Sequence, residues 1–246
     1  MKIIKQSIVA LTFSVASTAL SADVLGLSAS LSYWTPENSG HIQSGGDKID
    51  VENDLGLGDE EFVIFTGAFE HPVPLIPNVR VQFFDMDQVA HGTVSDVDFD
   101  GQNFDGAIQT SLDLTHYDFT LYYEILDNWV NLDLGLTAKI FDGQLILRDQ
   151  DSGASSKTSI DDVIPMLYGS ASFEFPITSL SAGVEGSAIS FDGDTAYDLV
   201  ARLRYQFGFF GAEAGYRAIA VEVDDISGID VDTALEGPYI SALLMF

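Results

Sequence analysis

Apolar residues recur at every second position in many parts of the chain, and this period predicts β-strands, whose successive side chains point to opposite faces. In "VLGLSASLSYW", Leu25, Leu27, Ala29, Leu31 and Tyr33 share one face, while Gly26, Ser28, Ser30 and Ser32 share the other. "WVNLDLGLTAKI", "YDLVARLRYQF" and "FGAEAGYRAIAV" repeat the alternation. Ten such segments are predicted: 24–34, 61–70, 79–84, 110–125, 129–141, 163–175, 180–189, 196–206, 210–222 and 235–246. Several approach the roughly 9 to 11 residues that a tilted strand needs to cross a bilayer.

Residues 1–22, "MKIIKQSIVALTFSVASTALSA", read as a secretory signal peptide. Lys2 and Lys5 precede an apolar run from Ile8 to Ala16, followed by small residues that suit cleavage after Ser21 or Ala22. The run is too short for a spanning helix. An even number of amphipathic strands behind such a leader predicts an all-β fold: an antiparallel transmembrane β-barrel of ten strands over residues 23–246. An open sheet in lipid would leave backbone groups unpaired. The competing reading, a soluble sandwich, would bury the apolar face in a protein core.

The connections separate these two readings. "HPVPLIPN", "LDN", "PITS" and "FGF" are short or proline-rich, whereas 35–61, 85–109, 142–162 and 223–236 are long and acidic, with one short exception at 190–195. Short periplasmic turns alternating with long external loops are the outer-membrane pattern. The formal charge is -28, yet 26 of the 38 acids fall in those five outer connections, so the charge lies outside the wall. So acidic a chain repels nucleic acid, and no nucleic-acid partner is expected. The absence of cysteine excludes a disulfide scaffold.

Tyr33 and Trp34 are expected at the outer headgroup girdle, with Trp129, Tyr123 and Tyr205 near the periplasmic one. "GPYISALLMF" is read as the closing strand, with Ile240, Ala242, Leu244 and Phe246 facing lipid. Taken with "FEHPVPLIPNVRVQFF", "DFTLYYEILDNWVNLDLGLTAKIFDG", "IPMLYG" and "EAGYRAIAVEVDD", it resembles a family of short proteobacterial outer-membrane β-barrel proteins of unassigned function. The Glu70-His71-Pro72 turn is the most specific piece. The resemblance implies the barrel and its outer-membrane location and transfers no catalytic residue. It also implies that Phe246 serves as the signal read by the barrel-assembly machinery.

Candidate chemistry lies in the lumen and loops. Arg80, Lys139, Arg202, Arg204 and Arg217 fall on the inward phase of their strands, as do Asp118, Glu124, Asp133, Glu174, Glu185, Asp198 and Glu213. A charge facing lipid costs about 2–4 kcal/mol near the midplane, so inward placement is expected, and a paired network would fill the lumen. Arg202 and Arg204 beside Glu185 and Glu213 form its expected core. A narrow channel for small solutes is the alternative. In "DVDFDGQNFDG", Asp96, Asp98 and Asp100 open like a calcium loop, with Asn103 and Asp105 as further oxygens, although position twelve is Ala107. These residues are a candidate Ca2+ site, and the loops as a whole could gather divalent ions against lipopolysaccharide. No cofactor is otherwise expected, and the partners expected are outer-membrane lipid, lipopolysaccharide and the assembly machinery. An omptin-like enzyme is a further alternative, because His116 and Asp118 share an inward face. No nucleophile motif accompanies them, and a non-enzymatic role is expected.

Overall fold

The computed structural model describes residues 25–44, 47–73, 75–99, 101–226 and 229–246. The leader at 1–22 and Asp100 lie outside the described residues. The chain forms β1 (Gly26–Trp34), β2 (Glu37–Ser44), β3 (Asp47–Asp50), β4 (Phe62–Glu70), β5 (Asn78–Asp85), β6 (Asp87–Phe99) and β7 (Gln102–Asp113). It continues through β8 (His116–Leu126), β9 (Val130–Asp149), β10 (Ser155–Glu174), β11 (Leu180–Phe191), β12 (Asp194–Phe207), β13 (Phe210–Ile226) and β14 (Ile229–Met245).

Ten of these strands close an antiparallel barrel in the order β1-β4-β5-β8-β9-β10-β11-β12-β13-β14, and β14 pairs back onto β1 from Ser28↔Met245 to Trp34↔Tyr239. The seam extends to Phe246, which exchanges two backbone hydrogen bonds with Leu27 (2.8 and 3.1 Å) and stacks its ring on Phe209. The ten periodic segments correspond to the ten wall strands. Their apolar phase covers the exterior: Leu31, Phe65, Leu134, Leu136, Leu167, Val184, Leu203 and Ile240 are all exposed. The serine, threonine and charged phase turns inward.

The segments expected to be acidic loops are largely strand. At about 3.3 Å per residue, the 20 residues each of β9 and β10 reach about 65 Å, roughly twice the hydrocarbon thickness of a bilayer. β2 pairs with the outer part of β14, β3 with β2, and the β6–β7 hairpin with the outer part of β9. Together they form a cap over one end of the barrel, with an apolar core that includes Ile42, Ile49, Leu55, Leu57, Phe99, Phe104, Ile108 and Leu147. A β-bulge hides this order in the sequence. Between Val94 and Val97 the register of β6 shifts, so its buried phase passes from Ala90 and Val94 to Phe99 and the two-residue period breaks. Two glycines then let the turn after β3 lie on β6: a Cβ at Gly92 would sit 1.8 Å from the Asp54 carbonyl oxygen, and one at Gly56 2.2 Å from that of His91.

Two further expectations change. Segment 110–125 is interrupted at Leu114–Thr115, where the chain leaves the cap and joins the wall. There the Leu114 amide donates to the Met86 carbonyl (2.8 Å) and the Met86 amide to Thr115 Oγ1 (3.2 Å). Trp34 does not join the headgroup girdle. It shares the phase of Ser28, Ser30 and Ser32, so it is wholly buried in the lumen, and its indole N–H donates to the Gly237 carbonyl (3.2 Å). Tyr33, Tyr123, Trp129 and Tyr205 face outward as expected.

Candidate functional site in the barrel lumen

The inward charges assemble into two layers. Nearer the short-turn end, β5, β11, β12 and β13 contribute a chain of alternating sign. Arg80 and Arg202 both donate to Glu185, Arg202 approaches Glu213 at 3.9 Å, and Arg204 bonds Glu213 at 2.8 Å. Two tyrosines complete it: Tyr239 donates to Glu213 (2.6 Å), and Tyr168 accepts from Arg80 (3.3 Å). The expected core around Arg202 and Arg204 is therefore present, extended by Arg80. The register explains the pairing, since Arg204 lies directly opposite Glu213 on the neighbouring strand.

The second layer lies nearer the cap and is more deeply buried. Lys139 on β9 reaches from one wall to the other, donating to Asp118 on β8 (2.8 Å) and to Asp198 on β12 (3.3 Å). Its third donor goes to His116 Nε2 (3.0 Å). His116 Nδ1 lies 2.7 Å from the Leu114 carbonyl, which can accept but not donate, so Nδ1 carries the proton and Nε2 offers its lone pair to Lys139. Arg217 on β13 pairs with Asp198. All five residues are at most 6% exposed. Each ammonium N–H has an acceptor and two cations face two carboxylates, while Asp118 Oδ1, Asp198 Oδ1 and Arg217 Nε have no hydrogen-bond partner among the described residues.

Aromatic side chains close the layer on the cap side. Phe84 stacks on His116 with centroids 4.2 Å apart, and its face receives Lys139 at 4.8 Å and Arg217 at 4.4 Å. Arg217 also lies 5.8 Å from the Trp34 ring centroid, and Phe141 lies on the other side of His116 at 4.6 Å. Trp34, Phe62, Ile64, Phe84, Met86 and Val200 belong to one buried cluster. Sequence reasoning missed this plug. The available signal was phase: Trp34 and Phe84 are large aromatics at positions where their strands otherwise carry inward polar residues.

The remaining inward acids do not join either layer. Glu124 and Glu174 share the inward phase but sit exposed at the short-turn rim, and Asp133 is half-buried opposite Glu124 in the β8–β9 register. None has a basic partner within ion-pair distance among the described residues. The His116–Asp118 pair behind the omptin-like alternative is enclosed in the plug. Its nearest ring-nitrogen to carboxylate separation is 3.8 Å, and the lone pair it would need is engaged by Lys139.

The calcium candidate folds as a hairpin tip. Asp96 and Asp98 lie on β6, and Asn103 and Asp105 lie on β7. Asn103 Nδ2 donates to Asp96 (2.9 Å), Asp105 accepts the Asp96 amide (3.4 Å), and the Asp98 amide donates to Asp47 (3.2 Å). The Asp96 and Asp105 carboxylates thus accept from protein donors, while Asp98 takes part through its amide. Among the described residues, no group of three or more His, Asp or Glu side chains is placed to hold a metal ion.

No protein-family model matches the sequence, and no curated protein does. Among solved structures, the chain is similar to the outer membrane protease OmpT from Escherichia coli at 10% identity and a TM-score of 0.50, covering 95% of this chain and 100% of that one. It is also similar to Ail, the attachment invasion locus protein of Yersinia pestis, at 13% identity and 0.37, covering 89% and 99%. The translocator domain of the autotransporter NalP from Neisseria meningitidis matches at 10% and 0.38, covering 92% and 90%. The likeness to the OmpT structure shows the fold. The chain is an outer-membrane β-barrel of Gram-negative type, and its exposed apolar band is the lipid-facing surface.

Proposed function

We propose that this protein is a sealed, non-enzymatic barrel with a structural role in the envelope. The observation that carries the reading is the plug: Lys139, Arg217, Asp118 and Asp198 lock the lumen across its width beneath Trp34 and Phe84. An ion crossing this layer would have to break charge-assisted hydrogen bonds in poorly hydrated space and displace packed aromatics. On this reading the wall contacts outer-membrane lipid and lipopolysaccharide, the assembly machinery inserts the barrel through its closing strand and Phe246, and the acidic cap faces outward. Membership in the family of short proteobacterial barrels belongs to the same proposal. The Glu70-His71-Pro72 turn supports it as a built element, since the His71 amide donates to Asn78 (2.9 Å) and the Val73 amide to His71 Nδ1 (3.2 Å).

Planar-bilayer recording of the purified barrel tests the proposal. The intact protein is expected to conduct little. Large, steady single-channel currents overturn it, whereas a small selective current altered by replacing Arg202 and Arg204 with Ala favours the narrow channel, a reading supported by the space that persists in the half of the lumen nearer the short turns.

A further inference from the structure

The lumen below the plug holds a chamber of about 150 Å³ that is partly open. We propose that this chamber is a binding site for a small, neutral polyhydroxylated solute that enters from the periplasmic side. The proposal rests on the sealed cap-side end described above and adds a ligand to it.

The direction of entry follows from the lining. At the cap-side end the chamber is bounded by Ile64, Val200 and Arg217, which are buried or part of the plug. Towards the short turns its lining includes Ser28, Glu70, Asp133 and Met245, which lie near the short-turn ends of their strands. Side-chain exposure rises the same way, from 7% at Arg217 through 13% at Arg202 to 29% at Arg204. Short turns of outer-membrane barrels face the periplasm.

The ligand class follows from charge and from the hydrogen-bonding groups left over. Four arginines line the chamber, and four carboxylates oppose them. A lining of no net formal charge gives neither a bare anion nor a bare cation a Coulombic advantage. Glu185 and Glu213 are already held by arginines and by Tyr239. The uncommitted groups are of both kinds. The Tyr168 hydroxyl accepts from Arg80 and keeps its own proton to donate. The second oxygen of Glu70 remains to accept, the first having taken the Tyr122 hydroxyl (2.7 Å), and Asp133, hydrogen-bonded by Ser170, keeps further lone pairs. Ser28 and Ser30 add hydroxyls that do either.

Hydroxyls on adjacent carbons both donate and accept, so a polyol satisfies such a mixed lining without bringing charge into it. Tyr122 and Tyr168, with centroids 5.9 Å apart and inclined at 55°, supply aromatic surface for its C–H face. The volume equals about five waters at roughly 30 Å³ each, which suits a polyol of about four carbons.

Saturation-transfer NMR on the full detergent-solubilised barrel tests this with erythritol as the probe and acetate and methylammonium as charged comparisons. Erythritol is expected to give a saturable signal at least tenfold stronger in affinity than either ion. Ser30→Phe, which fills the chamber from the β1 wall, should abolish it, and Asp133→Ala should weaken it at least threefold, both variants keeping the heat-modifiable migration of a folded barrel. No saturable erythritol signal, an ion that binds as well as erythritol, or binding unchanged by Ser30→Phe overturns the proposal. The comparison of probes uses the wild-type protein alone, so it stands even if a variant does not fold. Bilayer conductance reads the seal separately, which distinguishes failure of this site from failure of the sealed-barrel reading.

Discussion

Lys139 shows how one side chain can decide the state of a lumen. Its three donors meet Asp118, Asp198 and His116, and its charge is shared across the barrel between β8 and β12. Lys139→Met would keep much of the stem volume and leave two buried carboxylates with Arg217 as the remaining cation. Breaking a buried ion cluster in this way costs about 3–5 kcal/mol, and urea unfolding of the reconstituted barrel should show a loss of that order. An unchanged midpoint would mean that the cluster is hydrated and only loosely formed. Outside the membrane, Asp149 plays a smaller part. Its Oδ1 accepts the amides of Asp151 (2.8 Å) and Ser152 (2.7 Å), which holds the carboxyl below its ordinary value. Because the folded state lowers this pKa, its stabilisation is complete above the unfolded value of about 3.9 and is lost as pH falls through the lower folded value. Hydrogen exchange at the Ser152 amide should therefore keep its protection at mildly acidic pH and lose it below the ordinary carboxylate range. In Asp149→Ala the protection should be weak at every pH.

At the level of the strand, the two faces impose different demands. Leu136 is 63% exposed on the lipid face of β9, whereas its neighbour Thr137 is 3% exposed and bonded to Thr120 inside (2.8 Å). Inward phase alone does not make a position tolerant, because Thr137 lies in packed lumen with no room for an arginine. Ser30, which lines the chamber, does have that room. Leu136→Arg should lower stability by about 2–4 kcal/mol, while Ser30→Lys, reaching into water and towards Asp133 or Glu70, should change it by less than half as much. Equal losses on refolding into lipid vesicles would show that the faces were wrongly assigned.

The strand pattern was legible in the wall for a physical reason. Lipid on one side and a polar lumen on the other enforce a strict two-residue period over the whole crossing. In the cap, by contrast, water contacts one face and a small core the other, and the bulge in β6 shifts the phase midway, so acids and glycines conceal the strands. The charge network was half legible on the same grounds. Arg204 and Glu213 face each other in adjacent strands, which phase and order suggest. The bond from Lys139 to Asp198 joins strands that are not neighbours, and nothing local announces it.

The whole molecule divides into a barrel and a cap that share β9, β10, β13 and β14. Their cores are distinct, one around Trp34 and Phe84, the other around Phe99, Phe104 and Ile108. Phe99→Ala opens a cavity in the cap alone and should cost about 3–5 kcal/mol there. Limited proteolysis of intact cells should then cut the segment 87–113 much faster, while the barrel keeps its heat-modifiable migration. Loss of barrel migration in this variant would show that cap and wall fold as one unit.

By itself the sequence determined that this chain is a ten-stranded barrel with an apolar exterior and a charged interior, because the bilayer tests every residue of a crossing strand for the same property in strict alternation. Only the tertiary structure decided which inward charges meet, that Trp34 and Phe84 seal them, and that the acidic connections fold into a cap. Those outcomes depend on strand tilt and closure, which bring together side chains far apart in sequence, and on a register shift that a single residue can introduce.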